Sequence, residues 1–307
     1  MTEYRAHFDA EIAFVNGGGL TARGFRLDVP SSEVSEAQVG ELLVRHLGLA
    51  LVESVALSGF SVVAEQHRGS RFTGEASAIA DPVGAATRLV DLSHSIRAGL
   101  VTYPGLPAPV ITPHLTREAS RSTYAPGTEF AMDLITMIGN TGTYLDSPFH
   151  RYEGGTDLAG LELSTLVALP AEVFHLTDAR ERGIRAEVFL DRDLRDRAVL
   201  LHTGWDRHFG TPEYAKGAPY LTEAGARHLV ESGVRLVGID SLNIDDTESG
   251  GERPAHSLLL TAGIHVVEHL TGLDAVPARG ARFTAVPPKV EAFGTFPVRA
   301  YAEVPVG

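Results

Sequence analysis

The sequence predicts an α/β chain in two parts, a small ββαβ lobe followed by a larger α/β domain. Two patterns carry that expectation: β-type alternation around a single helical segment at the start, and, later, short apolar runs that alternate with segments of helical spacing. In the lobe, HFDAEIAFV (7–15) and LTARGFRLDV (20–29) flank Asn16-Gly17-Gly18-Gly19. Those glycines tolerate positive φ, so the segment reads as a β-hairpin with a loose turn. Ser35 stands three residues before Gln38, a capping-box spacing, and Val39, Leu42, Leu43 and Leu47 follow at helical intervals, predicting a helix over 35–50. SVALSGFSVVAE (54–65) has the composition of a strand and completes a lobe over 1–65. That lobe gathers no cluster of catalytic groups.

Residues 66–88 turn polar and small without a sustained period, as a linker or surface crossing does. The second domain is expected over 89–307. VDLSHSIRAGLVTYPG (90–105) opens it, and its Pro and Gly interrupt any regular element early. AVLLHT (198–203) and VRLVGID (234–240) are short apolar runs of the kind buried strands give. Between them LTEAGARHLVESG has helical spacing at Leu221, Ala224, His228 and Leu229, which makes a strand–helix–strand unit. SLLLTAGIHVVEHL repeats the theme, with a short helix from about Ala255, Gly263 to stop it, and the strand IHVVEHL.

Composition narrows the function classes. The chain has 307 residues and no cysteine, so disulfides, thiolate metal sites and cysteine nucleophiles are excluded, and any metal must be held by His, Asp or Glu. A formal charge of −13 opposes capture of nucleic acid or an anionic membrane, leaving a small molecule as the expected partner. No run approaches the roughly 18 apolar residues that span a bilayer, and MTEYRAHFDAEI lacks a basic and apolar secretory leader; a soluble, cytoplasmic protein is the expectation. GxGxxG, GxxxxGK[ST] and GxSxG patterns are absent, which removes support for a nucleotide cofactor or an α/β-hydrolase serine.

The stretch GNTGTYLDSPFH (139–150) is odd for its density of polar side chains, holding Asn140, Thr141, Thr143, Tyr144, Asp146 and His150 within eleven positions. In an extended strand Asn140, Gly142, Tyr144 and Asp146 would share one face, and His150 could curl back to it after Pro148. Imidazole and carboxylate together can hold a metal, shuttle a proton or orient a water. The same residues could instead serve the backbone, with Asn140 and Tyr144 satisfying main-chain groups and Asp146 capping a turn. Elsewhere, His94 and Tyr103 are second-rank candidates in a loop. Asp240, Asp245 and Asp246 follow the apolar strand VRLVGI; turn chemistry suits Asp246, and Asp240 stays open. His202 and Trp205 sit in LLHTGWD, where Trp205 could pack on a substrate or in the core.

TGTYLDSPFH resembles the signature of the putative-cyclase family, which includes bacterial kynurenine formamidases and isatin hydrolases and whose motif runs H-x-G-T-H-x-D-x-P-x-H. DLSHSIRAGLVTYPG, LLHTGWD, GIDSLNIDDTESGGERPAHSLLLTAGIHVVEHL and PPKVEAFGTFPVRAYAEV resemble further family segments in the same order over residues 89–304. The resemblance implies the family's swivelling β/β/α domain, preceded here by the ββαβ lobe outside it. It also implies roles: the motif's first two histidines and its aspartate bind zinc or manganese, the last histidine is general base or acid, and a later histidine and glutamate can complete a two-metal site. Carried over by position, the aspartate is Asp146, the base is His150, the later histidine is His256 and the glutamate is Glu268. The two metal-binding histidines fall on Asn140 and Tyr144.

An Asn carbonyl is a weak zinc ligand, and a Tyr oxygen binds well only when ionised, against a reference pKa of about 10. No metal is therefore expected at the family position; a single Zn or Mn ion would have to use Asp146, His256 and Glu268. The leading expectation is a cyclase-family enzyme performing metal-independent acid–base chemistry, such as ring closure, dehydration or isomerisation, on a carbonyl compound of specialised metabolism. Tyr144 would donate to the carbonyl oxygen, His150 would move the proton, and Asp146, His256 and Glu268 would support it. Asn140, Thr143, Tyr103 and Trp205 are the expected substrate contacts. The alternatives are a metal-dependent hydrolase of an amide or lactone, and a non-catalytic binding protein on the same fold. By likeness to the family, a homodimer or homotetramer is expected.

Overall fold

The computed structural model of the chain describes residues 2–15, 17–47, 52–66 and 87–306. Contacts divide the chain into two compact units, Met1–Asp81 and Pro82–Gly307. In the first, β1 (Thr2–Phe14) and β2 (Gly19–Val29) form the hairpin, α1 (Glu36–His46) follows, and β3 (Val52–Gln66) returns antiparallel on the other side of β1. Alternate residues Ala6, Phe8, Ala10 and Ile12 of β1 are buried with Val39 and Leu43 of α1 in one apolar cluster. This is the ββαβ order that the alternation and the capping box imply. Ser35 does cap α1: its side chain accepts from the Gln38 amide while the Gln38 side chain accepts from the Ser35 amide. The helix ends at His46 rather than 50, and residues 48–51 lie outside the described residues, as do Asn16 of the turn and 67–86 of the expected linker. Thr87 and Arg88, read as linker, already belong to a strand of the second unit.

The second unit begins with β4 (Thr87–Asp91), the hairpin strand β5 (Val110–Leu115), the single turn α2 (Arg117–Ser120), and β6 (Met132–Thr136), which closes that hairpin. Then follow β7 (Tyr144–Asp146), β8 (Leu169–His175), β9 (Gly183–Ile184), β10 (Ala198–His202), β11 (Tyr220–Leu221), α3 (Glu223–Glu231), β12 (Leu236–Ile239), α4 (Pro254–Thr261) and β13 (His265–Glu268). β14 (Arg282–Thr284), β15 (Thr295–Pro297) and β16 (Tyr301–Pro305) complete the chain. Nine of these strands make one sheet in the order β15-β7-β13-β12-β10-β8-β14-β16-β4. Its centre, β8, β10, β12 and β13, is parallel; the flanking pairs are antiparallel.

The parallel centre is buried on both faces, which explains why AVLLH and LVGI read as continuous apolar runs. Val199, Leu201, Val237, Ile239 and Val266 pack with Ala226 and Leu229 of α3 and Ala255 and Leu259 of α4. On the opposite face Ala198, Leu200, Leu145 and Val267 share a cluster with Val90 of β4 and Ala302 and Val304 of β16, so the sheet curls until its ends enclose one core. Among the described residues no helix is long and apolar enough to cross a membrane.

Leu145 is wholly buried between the two polar residues of β7, with its side chain in the enclosed core. Leu145→Ala is expected to cost about 2–5 kcal/mol by leaving a cavity that the curled sheet cannot close. Denaturant unfolding monitored by circular dichroism reads that loss.

Candidate active site

Strand register gathers the polar groups. β13 pairs with β7 so that Glu268 stands opposite Tyr144, and β15 pairs with β7 so that Thr295 stands opposite Asp146. Tyr144 and Asp146, two residues apart, share a face, so all four side chains converge on the side covered by α4. The alternation expected from Asn140 onward holds only over these three residues. Gly142 has φ +66°, and Gly139 packs so closely on the Thr295 carbonyl that a Cβ would sit 2.1 Å from its oxygen. The chain before Tyr144 is therefore a tight turn, though Asn140 still lines the cavity.

α4 supplies His256 from its first turn. Asp245 fixes that turn: one carboxylate oxygen accepts from the Ala255 amide at 2.6 Å, the other from the His256 amide at 3.0 Å and from His256 Nδ1 at 2.7 Å. A carboxylate only accepts, so Nδ1 carries the hydrogen and Nε2 is aimed at the sheet. There Nε2 stands 3.5 Å from Asp146 Oδ2 and 3.6 Å from Glu268 Oε1. Asp146 and Glu268 are at most 1% exposed. Burial alone would lower His256, yet the carboxylates of Asp146, Asp245 and Glu268 outweigh it and lift its pKa to about 10. Burial pushes Glu268 up to about 7, partly offset by the His256 charge. The arrangement demands positive charge at the centre of this triangle.

Two hydrogen-bond chains support it. His150 stands on the short turn Pro148–His150, and its Nδ1 lies 2.7 Å from Thr295 Oγ1, which donates to Asp146 Oδ1 at 2.5 Å. The single Thr295 proton is spent on Asp146, so Nδ1 of His150 must donate and its Nε2 is left with a lone pair. The second chain runs through Tyr144, whose hydroxyl donates to Glu268 Oε2 at 2.6 Å. Tyr144 then accepts from His269 Nε2 at 3.2 Å, and His269 Nδ1 accepts from Tyr214 at 2.9 Å. Burial holds the Tyr144 hydroxyl well above its usual value and drops His269 to about 3, so the phenol is protonated and the imidazole neutral.

The sequence reading places these residues unevenly. His150, Tyr144, His256, Glu268, Asn140 and Tyr103 line one cavity of about 400 Å3, with Asp146 beneath them. Tyr144 gives its proton to Glu268 rather than presenting it to the cavity. Thr143 is buried, accepts from the His94 amide and donates to the His269 carbonyl, so it ties loops together. Trp205 donates to the Tyr214 carbonyl within a satellite core, away from the cavity lining. His94 stacks on Phe209 at 3.6 Å, and Asp240 accepts from Thr203 and Gly204 amides. Asp246, read as turn chemistry, caps its loop and meets Arg182 at 2.9 Å. Asn243, Asp245, His269, Thr295 and Arg253 were not assigned a role from sequence. Asp245 lies ten and eleven residues before the amides it accepts from, outside the local spacing of an N-cap, so no short pattern marks it.

The donor set separates two metal positions. The position that would need Asn140 and Tyr144 does not fit: the phenol is protonated and committed to Glu268. Asp146, His256 and Glu268 do fit. One ligand atom from each lies within 4.8 Å of the others, and tetrahedral donors about 2.1 Å from zinc sit about 3.4 Å apart. Separations of 3.5 and 3.6 Å are long for hydrogen bonds but match that spacing. Asp146 Oδ2, buried, has no hydrogen-bond partner, as a carboxylate oxygen meant for a cation would not. Asp245 behind His256 completes the carboxylate–histidine arrangement that orients metal-bound imidazoles.

A family model described as putative cyclase matches residues 90–246. A kynurenine formamidase of Geobacillus thermodenitrificans is 32% identical over 212 residues, covering 69% of this chain and 95% of that one. A kynurenine formamidase of Bacillus cytotoxicus is 27% identical over 215 residues, covering 70% and 97%. Among solved structures, an isatin hydrolase bound to the product analogue thioisatinate shares the fold, with TM-score 0.61 and 22% identity over 72% of this chain and 93% of that one. A potential metal-dependent hydrolase with cyclase activity gives TM-score 0.59 and 26% identity, covering 72% and 100%. With its ordered segments, curled α/β sheet and buried polar site, this chain belongs to the putative-cyclase family and is an enzyme of that family.

Proposed function

We propose that the protein is a hydrolase that opens an amide or lactone bond in a small carbonyl compound, with Asp146, His256 and Glu268 holding one divalent cation. The observation that carries this reading is the unpartnered Asp146 oxygen 3.5 Å from His256 Nε2, in a buried site whose carboxylates outnumber its cations. The kynurenine formamidase and isatin hydrolase relatives support hydrolysis. A divalent cation bound there would polarise a carbonyl oxygen and make water a stronger acid. His150 does the proton work: its Nδ1 is anchored through Thr295 to Asp146, and its Nε2 takes a proton from water and returns it to the departing nitrogen or oxygen. Tyr144 and His269 hold Glu268 in one rotamer, and Asp245 holds His256.

A second reading has its own observation. The Tyr144 hydroxyl and the Ile244 amide already donate to the two oxygens of Glu268, so a protonated His256 could supply the positive charge alone. That reading corresponds to metal-independent acid–base chemistry. The exposed ribbon of β5 and β6, with Val110, Ile111, Leu134 and Ile135 all open to solvent, supports a homo-oligomer.

Elemental analysis of the purified protein is expected to give about one zinc or manganese per chain. Chelation is expected to abolish hydrolysis of N-formyl aryl amides and added metal to restore it; full activity in metal-free protein would leave the second reading in its place. His150→Ala is expected to lower kcat by roughly 10²–10⁴ while metal content is retained. Asp245→Asn is expected to lower metal affinity about 10–100-fold, read by competition with a chromophoric chelator. In light scattering, Ile111→Glu with Leu134→Glu is expected to convert an oligomer to a smaller species.

A further inference from the structure

Two guanidinium groups line the cavity without a carboxylate partner. Arg151 directly follows the base His150, and Arg253 lies three residues before His256; both face the space bounded by Tyr103 and Leu106. Arg151 lies over the Tyr152 ring, 5.5 Å from its centroid. Arg253 donates to the backbone carbonyls of Glu252 at 2.7 Å and Asp246 at 3.3 Å. Among the described residues neither forms an ion pair, so neither guanidinium group is already taken by an Asp or Glu of the chain. Missing ion pairs are not peculiar to these two, since among the described residues Arg97 and Arg207 also have none; what sets Arg151 and Arg253 apart is that both line the cavity, Arg151 exposed and Arg253 half-buried, where an entering anion can reach them. Arginine keeps its proton, so both groups stay cationic.

The rest of the cavity decides where that anion lies. The floor carries Asp146 and Glu268, which repel negative charge when no cation is bound and would neutralise a divalent cation when one is. The first amides of α4, otherwise an anion site, are taken by Asp245. An incoming anion is left with the guanidinium groups, while the reacting carbonyl points to His150 and His256. A cavity of about 400 Å3 accommodates an aromatic ring bearing both groups.

We propose that Arg151 and Arg253 form an anion clamp, and that the substrate joins its reacting carbonyl to an anionic group, a carboxylate or a phosphate. The proposal rests on the reading of this cavity as the hydrolytic site, and its test reads binding rather than turnover. Benzoate, phenyl phosphate and benzamide are titrated calorimetrically into the full-length protein, as purified and after dialysis against a chelator, so that capture by a metal ion is separated from capture by the arginines. At least one anion is expected to bind about tenfold or more tightly than neutral benzamide, and to weaken as salt rises. The tighter of the two assigns carboxylate or phosphate. Arg151→Gln with Arg253→Gln is expected to remove that preference and leave benzamide affinity within about twofold, while Arg151→Lys with Arg253→Lys keeps part of it. Equal affinity for all three ligands, no binding of either anion at millimolar concentration, or an unchanged preference in the double Gln variant overturns the proposal. Failure of hydrolysis alone, with the preference intact, overturns the reading of the reaction and not the clamp.

Discussion

The site depends on one electrostatic constraint: three carboxylates, Asp146, Asp245 and Glu268, are buried around a single imidazole, His256. Buried charges of one sign cost several kcal/mol each unless something positive stands among them. Hydrogen bonds settle part of that cost. Asp245 spends both oxygens on the α4 turn and His256, and Glu268 accepts from Tyr144 and Ile244. Asp146 has only Thr295 on one oxygen and nothing on the other. That imbalance points to positive charge between Asp146 and His256, as a cation or as a proton.

The two hydrogen-bond chains have fixed directions, and each direction has a chemical consequence. Because Thr295 gives its proton to Asp146, His150 presents a lone pair to the cavity. Because Tyr144 gives its proton to Glu268, a residue that stands where the family motif has a histidine acts as a buttress for a carboxylate. Backbone placement sustains both chains. His269 is held at φ +56°, an uncommon conformation for a residue with a side chain, and this aims its ring back at Tyr144. Gly294 passes so close to His150 that a Cβ would lie 2.5 Å from the His150 amide nitrogen, so the strand carrying Thr295 and the turn carrying the base are packed backbone to backbone.

Much of the fold was legible because local rules and tertiary packing agree. The hairpin, the Ser35 capping box, the apolar runs at 198–202 and 236–239, and the Gly263 stop all act within a few residues of chain. The strand across 139–146 was overread because a polar alternation looks the same in a strand and in a glycine-bent turn; only the close approach to Thr295 distinguishes them. Asp146 and His150 were legible from the polar density and alternation of 139–150, whereas His256 and Glu268 were legible only through family likeness. Thr295 lies 145 residues from the side chain it orients, and Asp245 stands among three aspartates after a strand with nothing local to tie it to His256, eleven residues on. Pairings of that range depend on sheet register, which no local pattern in the sequence encodes.

The most direct measurement of the central claim is anomalous diffraction at the zinc edge from crystals grown with zinc. A single peak about 2.0–2.2 Å from His256 Nε2 and from one oxygen each of Asp146 and Glu268 is the expected result. A catalytically active crystal form with no peak among these three residues, or with the ion held elsewhere, would contradict it.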